Sequence, residues 1–291
     1  MEAIGVDVGG TNLRVARVDL DGNIRETRSA RTDGNSKDAF ASIIALSREL
    51  TTPAVVGIGI GVPGRVDVKE RQVLSGGFLD LSGFGFAAAV ETAIGRPVVI
   101  DTDANLALVA EWIFGAARGT DNAVMLTIGT GIGGAAVVEG RILRGMRCAC
   151  QFGHVTVERP GRPCACGRSG CVETTSSGTR LGQLMLEAGL PGSMRAEALA
   201  DAAEAGEAFA RDILVNWAGP LRAAIDSLVA SLDPERIVLG GGLGAVAARA
   251  LSFVPAESPW YQSEVVPAAL GDTAGVVGGA WVAANPEQVA R

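Results

Sequence analysis

The sequence predicts an α/β protein made of two similar halves, and three observations carry that expectation. An apolar strand, a glycine turn and a return strand stand at residues 3–18, and the same plan recurs at 123–138. Short apolar runs of strand length alternate with segments whose apolar residues recur at helical spacing. The 291 residues are 48% hydrophobic and 20% charged, the balance of a globular protein long enough for two medium domains.

In chain order, Ala3–Val8 reads as a buried strand ending in the turn Gly9-Gly10-Thr11, with Leu13–Val18 as its hairpin partner. Asp38–Leu50 has helical spacing, Ala54–Ile60 is an apolar strand, and Phe86–Ile94 is a helix. Val98–Ile100 forms a short strand closed by Asp101-Thr102-Asp103, and a helix opens at Ala104 and runs to Phe114. The second half starts with a strand at Ala123–Ile128, the turn Gly129–Gly134 and a return strand at Ala135–Val138. Helices follow between Thr179 and Leu232, with a kink expected at Pro220. Arg236–Leu239 is a strand leading into Gly240-Gly241-Gly242. The duplicated plan implies two domains, 1–117 and 118–291, divided where small residues break the helix after Phe114.

Charge and composition narrow the function. A net charge of −7 argues against nucleic acid as the main partner, because a phosphate backbone needs a basic surface. Met1-Glu2 leads straight into an apolar strand without a basic leader, and the uncharged stretch Asn122–Val138 is glycine-rich and short of a membrane span. A cytoplasmic protein without a membrane partner is expected. All five cysteines lie between Cys148 and Cys171, around the single His154, a grouping that favours metal over disulfides.

The two glycine turns are suited to phosphate. Asp7-Val8-Gly9-Gly10-Thr11-Asn12 offers a carboxylate for Mg²⁺, backbone positions without side chains, a hydroxyl and an amide. Thr130, Gly131 and Gly133 supply a second tip of the same chemistry in the other half. Neither turn is a P-loop, since neither ends in Gly-Lys-Ser/Thr, and the only lysines are Lys37 and Lys69. Asp103, between a strand and a helix, fits a general base that accepts a hydroxyl proton during phosphoryl transfer. Equally, Asp101 or Asp103 fits a helix cap. His154 with Cys164, Cys166 and Cys171 offers four ligands, enough for one closed, structural zinc site. Cys148 and Cys150 read as packing residues.

The paired hairpins resemble the actin-like, hexokinase-type ATPase core, a ribonuclease H-like fold. Over nearly the whole chain the sequence resembles the ROK family (repressors, open reading frames, kinases). The resemblance rests on DVGGTN at 7–12, GIGIGVPGRVD at 57–67, DTDAN at 101–105, TIGTGIGGA at 127–135, GH at 153–154, CACGRSGCVE at 164–173 and DPERIVLGGGLG at 233–244. It implies two actin-like domains with a cleft between them and a dimeric hexose kinase dependent on ATP and Mg²⁺, with structural Zn²⁺. By the same resemblance Asp103 is the base. His154 and Glu173 meet the sugar, with Gly64 along its pocket. Asp7, Gly9, Gly10, Thr11, Asn12, Thr130, Gly131 and Gly133 hold the phosphates and metal, and Gly241 and Gly242 lie on the adenosine side.

Three departures fall on the sugar side. The family has Asn where this chain has Thr102, Ala-Gly-Glu where it has Ala149-Cys150-Gln151, and an Asn that is missing near Gly76-Gly77-Phe78. Gln151 exchanges a pure acceptor for an amide that both donates and accepts. Such changes alter which hydroxyls are recognised while leaving the ATP side intact. The expected activity is phosphorylation of a hexose hydroxyl, the 6-OH of glucose or a modified hexose. Amino sugars such as kanosamine, N-acetylmannosamine and N-acetylglucosamine are the alternative. A sugar-responsive regulator would need a DNA-binding domain ahead of residue 7, and a silent sugar-binding protein would not need Asp7 and Asp103.

Overall fold

The computed structural model describes residues 1–289 except Thr11, Asp33, Gly77, Phe78, Glu257 and Tyr261. Two compact units emerge. One comprises Met1–Gly119, Arg141–Ala149 and Asp272–Arg291; the other comprises Thr120–Gly140 and Cys150–Gly271. The first break falls two residues beyond the expected division after 117. The units are not consecutive halves, however, because the C-terminal segment returns to the first.

The first unit is built on strands β1 (Glu2–Val8), β2 (Asn12–Asp19), β3 (Ile24–Arg31), β4 (Val55–Val62) and β7 (Val98–Thr102), in the order β3-β2-β1-β4-β7. β1 is antiparallel to β2 and parallel to β4, and β4 is parallel to β7. A side hairpin, β5 (Arg65–Asp67) and β6 (Gln72–Ser75), stands apart from this sheet. Alternation along β1 sends Ile4, Val6 and Val8 to one face, where they join Ala39 and Ile43 of α1 (Ser36–Leu50) and Phe86 and Val90 of α2 (Phe86–Ile94). Ala3, Gly5 and Asp7 point to the other face, which receives α3 (Asp103–Phe114) and α9 (Ala274–Ala284). There Ala3, Ala16 and Val18 pack on Val276 and Ala280.

The reason α9 returns is steric. A Cβ built on Gly5 would overlap the Val276 carbonyl, and one on Gly59 would overlap that of Gly279. The two strands therefore carry no side chain where the helix backbone lies against them. Asp7 closes this column at the C-terminal end of β1.

The second unit repeats the plan with β8 (Ala123–Ile128), β9 (Ile132–Val138), β11 (Arg236–Gly240) and β12 (Glu264–Pro267), in the order β9-β8-β11-β12. β8 is antiparallel to β9 and parallel to β11, and β11 is parallel to β12. This matches β2-β1-β4-β7 in order and direction, the structural form of the duplication read in the sequence. β9 begins at Ile132, so the second turn is shorter than the expected Gly129–Gly134. The short strand β10 (Arg141–Ile142) carries the chain onward. Helices α4 (Glu173–Ser176), α5 (Gly178–Glu187), α6 (Ala196–Glu204), α7 (Ala208–Leu232) and α8 (Gly244–Leu251) complete the unit. α7 is one element across Pro220, with Trp217 and Leu221 fully buried on either side. Among the described residues no helix is long and apolar enough to cross a membrane.

Candidate active site and metal loop

In the first unit the glycine turn closes through Gly9, whose N–H donates to the Asn12 carbonyl at 2.9 Å. The Gly9 carbonyl in turn accepts from the Thr32 hydroxyl at 3.0 Å. Gly10 is exposed at the tip, and Thr11, expected on the phosphates, lies outside the described residues. Asp7 has Arg14 at 3.8 Å, and Arg14 donates to Asp272 at 2.9 Å. A Cβ on Gly275 would lie 2.8 Å from the Asp7 carboxyl carbon, so glycine at the start of α9 leaves the room this side chain occupies. Burial pushes the Asp7 carboxyl up to about 6; Arg14 opposes the rise and Asp272 adds to it.

Asp103 is the first residue of α3, directly after β7. Neither of the aspartates expected as caps fills that role. Thr102 is the N-cap, its hydroxyl accepting from the Asn105 N–H at 3.2 Å. Asp101 is an anchor instead: its Oδ1 accepts from Thr102 N at 2.8 Å and Asn105 Nδ2 at 2.7 Å, while its Oδ2 accepts from Arg144 at 2.7 Å. Relieved of capping, Asp103 accepts from its neighbour Ala104 N–H at 2.8 Å. Burial pushes its carboxyl up to about 7, and the negative charge of Asp7 adds to the rise. Two carboxylates whose environments raise them to different degrees are the pattern expected where one holds a metal and the other moves a proton. Gly64, at φ 94°, sits at the β4–β5 turn, where a Cβ would overlap the Ser75 carbonyl; only glycine lets the β6 end approach so closely.

In the second unit the turn closes by Gly129 N–H donating to the Gly131 carbonyl at 2.9 Å. Gly133 lies in β9 opposite Thr127. The turn is bracketed from outside. Gly178 N–H donates to the Gly129 carbonyl and the Thr179 hydroxyl to the Thr130 carbonyl, both at 2.8 Å. The Glu173 carboxylate accepts from Ile132 N–H at 2.9 Å. Gly241, at φ 74°, lies against Ile128 at the end of β8, and Leu243 N–H donates to the Ile128 carbonyl at 2.9 Å; Gly242 is exposed beside it. The loop expected on the adenosine side is thus joined to the end of β8, directly before the second glycine turn.

Gln151 precedes a short 3-10 turn, Phe152–His154, that packs on β9: a Cβ on Gly153 would overlap the Ile132 carbonyl. His154 Nδ1 lies 3.6 Å from Cys164 Sγ, and Cys166 Sγ lies 3.6 Å from Cys171 Sγ. The four ligand atoms all fall within 4.8 Å of one another. Tetrahedral zinc, with Zn–S near 2.3 Å, places sulfur pairs about 3.8 Å apart, so the set fits one ion. Burial pushes the Cys171 thiol up to about 12, while the Arg168 backbone N–H foremost lowers Cys166 to about 7. A dication would supply the charge that the buried sulfur lacks. Gly167 and Gly170, at φ 87° and 77°, let the chain wrap around the set, and Cys148 and Cys150 stand outside it.

Similarity to known proteins gives this arrangement its class. The model of the ROK family matches residues 3–285, and the chain belongs to that family. It is 32% identical to a glucokinase from Halalkalibacterium halodurans over 98% of this chain and 95% of the relative. It is 30% identical to an N-acetylmannosamine kinase from Citrobacter koseri over 97% and 99% of the two chains. A ROK family glucokinase from Streptomyces griseus, solved in complex with glucose and AMPPNP, superposes with a TM-score of 0.84 at 29% identity, covering 98% of this chain and 100% of that one. The fold is the two-domain actin-like ATPase fold. The protein is an ATP-dependent sugar kinase.

Sequence reasoning missed Arg144, Asp272, Thr179 and Gly178 as parts of these sites. None stands in a motif, and each acts through a partner far away in the chain.

Proposed function

We propose that the chain transfers the γ-phosphoryl group of ATP to the 6-hydroxyl of glucose or a modified hexose, with Asp103 as the general base. The observation that carries this reading is the Asp103 carboxyl. It is released from capping by Thr102, held at a strand–helix junction, and raised to about 7 by burial and by Asp7. A base poised near neutrality accepts the hydroxyl proton as the oxygen attacks phosphorus. N–H groups of the two glycine turns would orient the phosphates and receive the charge that develops on them. Asp7, whose burial is partly offset by Arg14 at 3.8 Å, fits a metal-facing carboxylate. Mg²⁺ bound there would neutralise phosphate charge.

Gly64, Gln151, His154 and Glu173 are the proposed sugar contacts. Thr102 belongs with them: its hydroxyl oxygen accepts the cap bond with one lone pair, which leaves its proton and one further lone pair for a sugar. Gly9, Gly10, Asn12, Thr130, Gly131 and Gly133 would serve the phosphates, and Gly241 and Gly242 the adenosine. The Cys₃His set would hold structural Zn²⁺, which gives the loop a closed coordination shell. A cytoplasmic homodimer belongs to the same reading, on the strength of the family resemblance. Amino sugars are the second substrate class, supported by the similarity to an N-acetylmannosamine kinase.

The test is a panel of glucose, kanosamine, N-acetylmannosamine and N-acetylglucosamine with Mg-ATP. Wild-type protein is expected to phosphorylate at least one sugar and Asp103→Asn to lose that turnover. Turnover retained by Asp103→Asn would remove Asp103 from the mechanism, and no turnover of any sugar would remove the substrate assignment.

A further inference from the structure

The Glu173 carboxylate holds the second phosphate turn directly. Its Oε2 accepts from Ile132 N–H at 2.9 Å, and a Cβ on Gly131 would overlap that same oxygen. A side chain at residue 131 would therefore push the carboxylate off this position.

The segment that carries Glu173 is itself pinned. Ser176 Oγ donates to the Trp217 carbonyl at 2.7 Å, and Trp217 Nε1 donates to the Ser177 carbonyl at 2.9 Å. Ser177 caps α5, and the next two residues, Gly178 and Thr179, hold the Gly129 and Thr130 carbonyls. Upstream, the Thr174 hydroxyl donates to the Cys171 carbonyl at 2.7 Å. The turn thus has three outside supports. Two are backbone or hydroxyl groups on a rigid corner, and the third is a long, rotatable, charged side chain.

That difference has an electrostatic consequence. A carboxylate next to a turn that receives phosphate repels the incoming charge unless its own charge is taken up by donors. Ile132 N–H is one donor, and a sugar hydroxyl on the remaining oxygen would be another, which would also fix the rotamer of a side chain that is entropically expensive to order. We infer that Glu173 couples the two substrates within one unit: a sugar hydroxyl on this carboxylate tightens nucleotide binding at the Gly129–Gly131 turn. This rests on the proposed role of Glu173 as a sugar contact and of Thr130 and Gly131 as phosphate contacts. It adds a thermodynamic link between them, by which ATP is held well only when an acceptor is present. Linkage makes the effect reciprocal.

The experiment measures the Kd of AMPPNP with Mg²⁺ by calorimetry, with and without glucose, or N-acetylmannosamine if glucose is not turned over. In wild type the sugar is expected to tighten AMPPNP about 5-fold or more, the lower range of measured couplings. Glu173→Gln keeps an oxygen for Ile132 N–H but removes the charge. It should bind AMPPNP without sugar at least as tightly as wild type, lose most of the sugar effect, and raise the sugar KM. Gly131→Ala, a change in the phosphate turn, should weaken sugar binding measured without nucleotide. If Glu173→Gln raises the sugar KM but keeps the wild-type sugar effect on AMPPNP, the coupling is overturned and the sugar-contact role stands. If the sugar KM does not move, the role of Glu173 in sugar binding falls and the coupling with it.

Discussion

Arg144 donates to Asp101 at 2.7 Å across 43 residues of sequence, and only 2% of the Asp101 side chain is exposed. Asp101 spends its other oxygen on Thr102 N–H and the Asn105 amide, so one buried carboxylate ties together the strand end, the helix cap and the segment 141–149. Asp103 is two residues away. Removing the guanidinium leaves a buried charge without its cation, which costs about 3–5 kcal/mol. Arg144→Met is therefore expected to lower unfolding stability by about that amount, read from urea titration at pH 7. Asp101→Asn combined with Arg144→Met should recover part of the loss. A loss below about 1 kcal/mol in the single variant would show that the pair is not the anchor described here.

Asp103 and Asp7 set the pH response. For the proposed base to work it must be ionised, so kcat/KM should rise through pH 6–7 and level off above about 7. Asp103→Asn should lower kcat by about 10²–10⁴-fold and abolish the upper part of that rise. A rate limb that persists unchanged in the variant would assign the titration to another group.

Stability should move the opposite way with pH. Both carboxyls have folded-state values raised above their ordinary one, so the folded protein binds protons more tightly than the unfolded chain between about pH 4 and 7. Their contribution is fully present below the unfolded value and is lost as pH rises through about 6 and 7. Asp103→Asn is expected to have a higher Tm than wild type at pH 8, with the difference shrinking toward pH 4. Calorimetric scans at both ends of the window decide it: a variant less stable at pH 8 would contradict the buried, uncompensated charge.

The Cys₃His set should carry close to one equivalent of zinc by elemental analysis. Chelation should lower Tm, and stoichiometric zinc should restore it, because metal binding and local folding are linked. Cys171→Ser, at a buried position, should be more damaging than Cys166→Ser at an exposed one. Zinc-free protein of unchanged Tm would exclude a structural ion.

At the strand–α9 contact the test is steric. Gly59→Ala places a methyl into the Gly279 carbonyl, backbone that cannot rotate aside. A loss of more than about 2 kcal/mol is expected, within the range of overpacked cores. Gly182→Ala, exposed inside α5 with nothing within 4 Å, is the control and should be neutral or stabilising by up to about 1 kcal/mol. Similar stabilities for the two variants would mean that α9 sits elsewhere.

Both glycine turns, the β7–α3 junction and the Cys₃His set were legible in the linear order, since each is a run of residues whose chemistry is local. β3 was not: residues 24–31 alternate polar and charged side chains at an edge with one face in solvent, which hides the period-2 apolar signal. α9 was hidden for a related reason. Its residues are apolar or small on nearly every side, because it is packed between the sheet and α3, so no helical stripe appears.

The residue order alone determined the duplicated plan, the family and the residues proposed to face ATP, because hairpins, turns and ligand spacings are short-range consequences of glycine, carboxylate and thiol chemistry. Only the tertiary structure decided that Thr102 caps and thereby frees Asp103, that Arg144 neutralises Asp101, and that Glu173 grips Ile132. Those three outcomes depend on which donors reach which acceptors. Two of them bridge more than forty residues, a distance at which no local pattern specifies a partner.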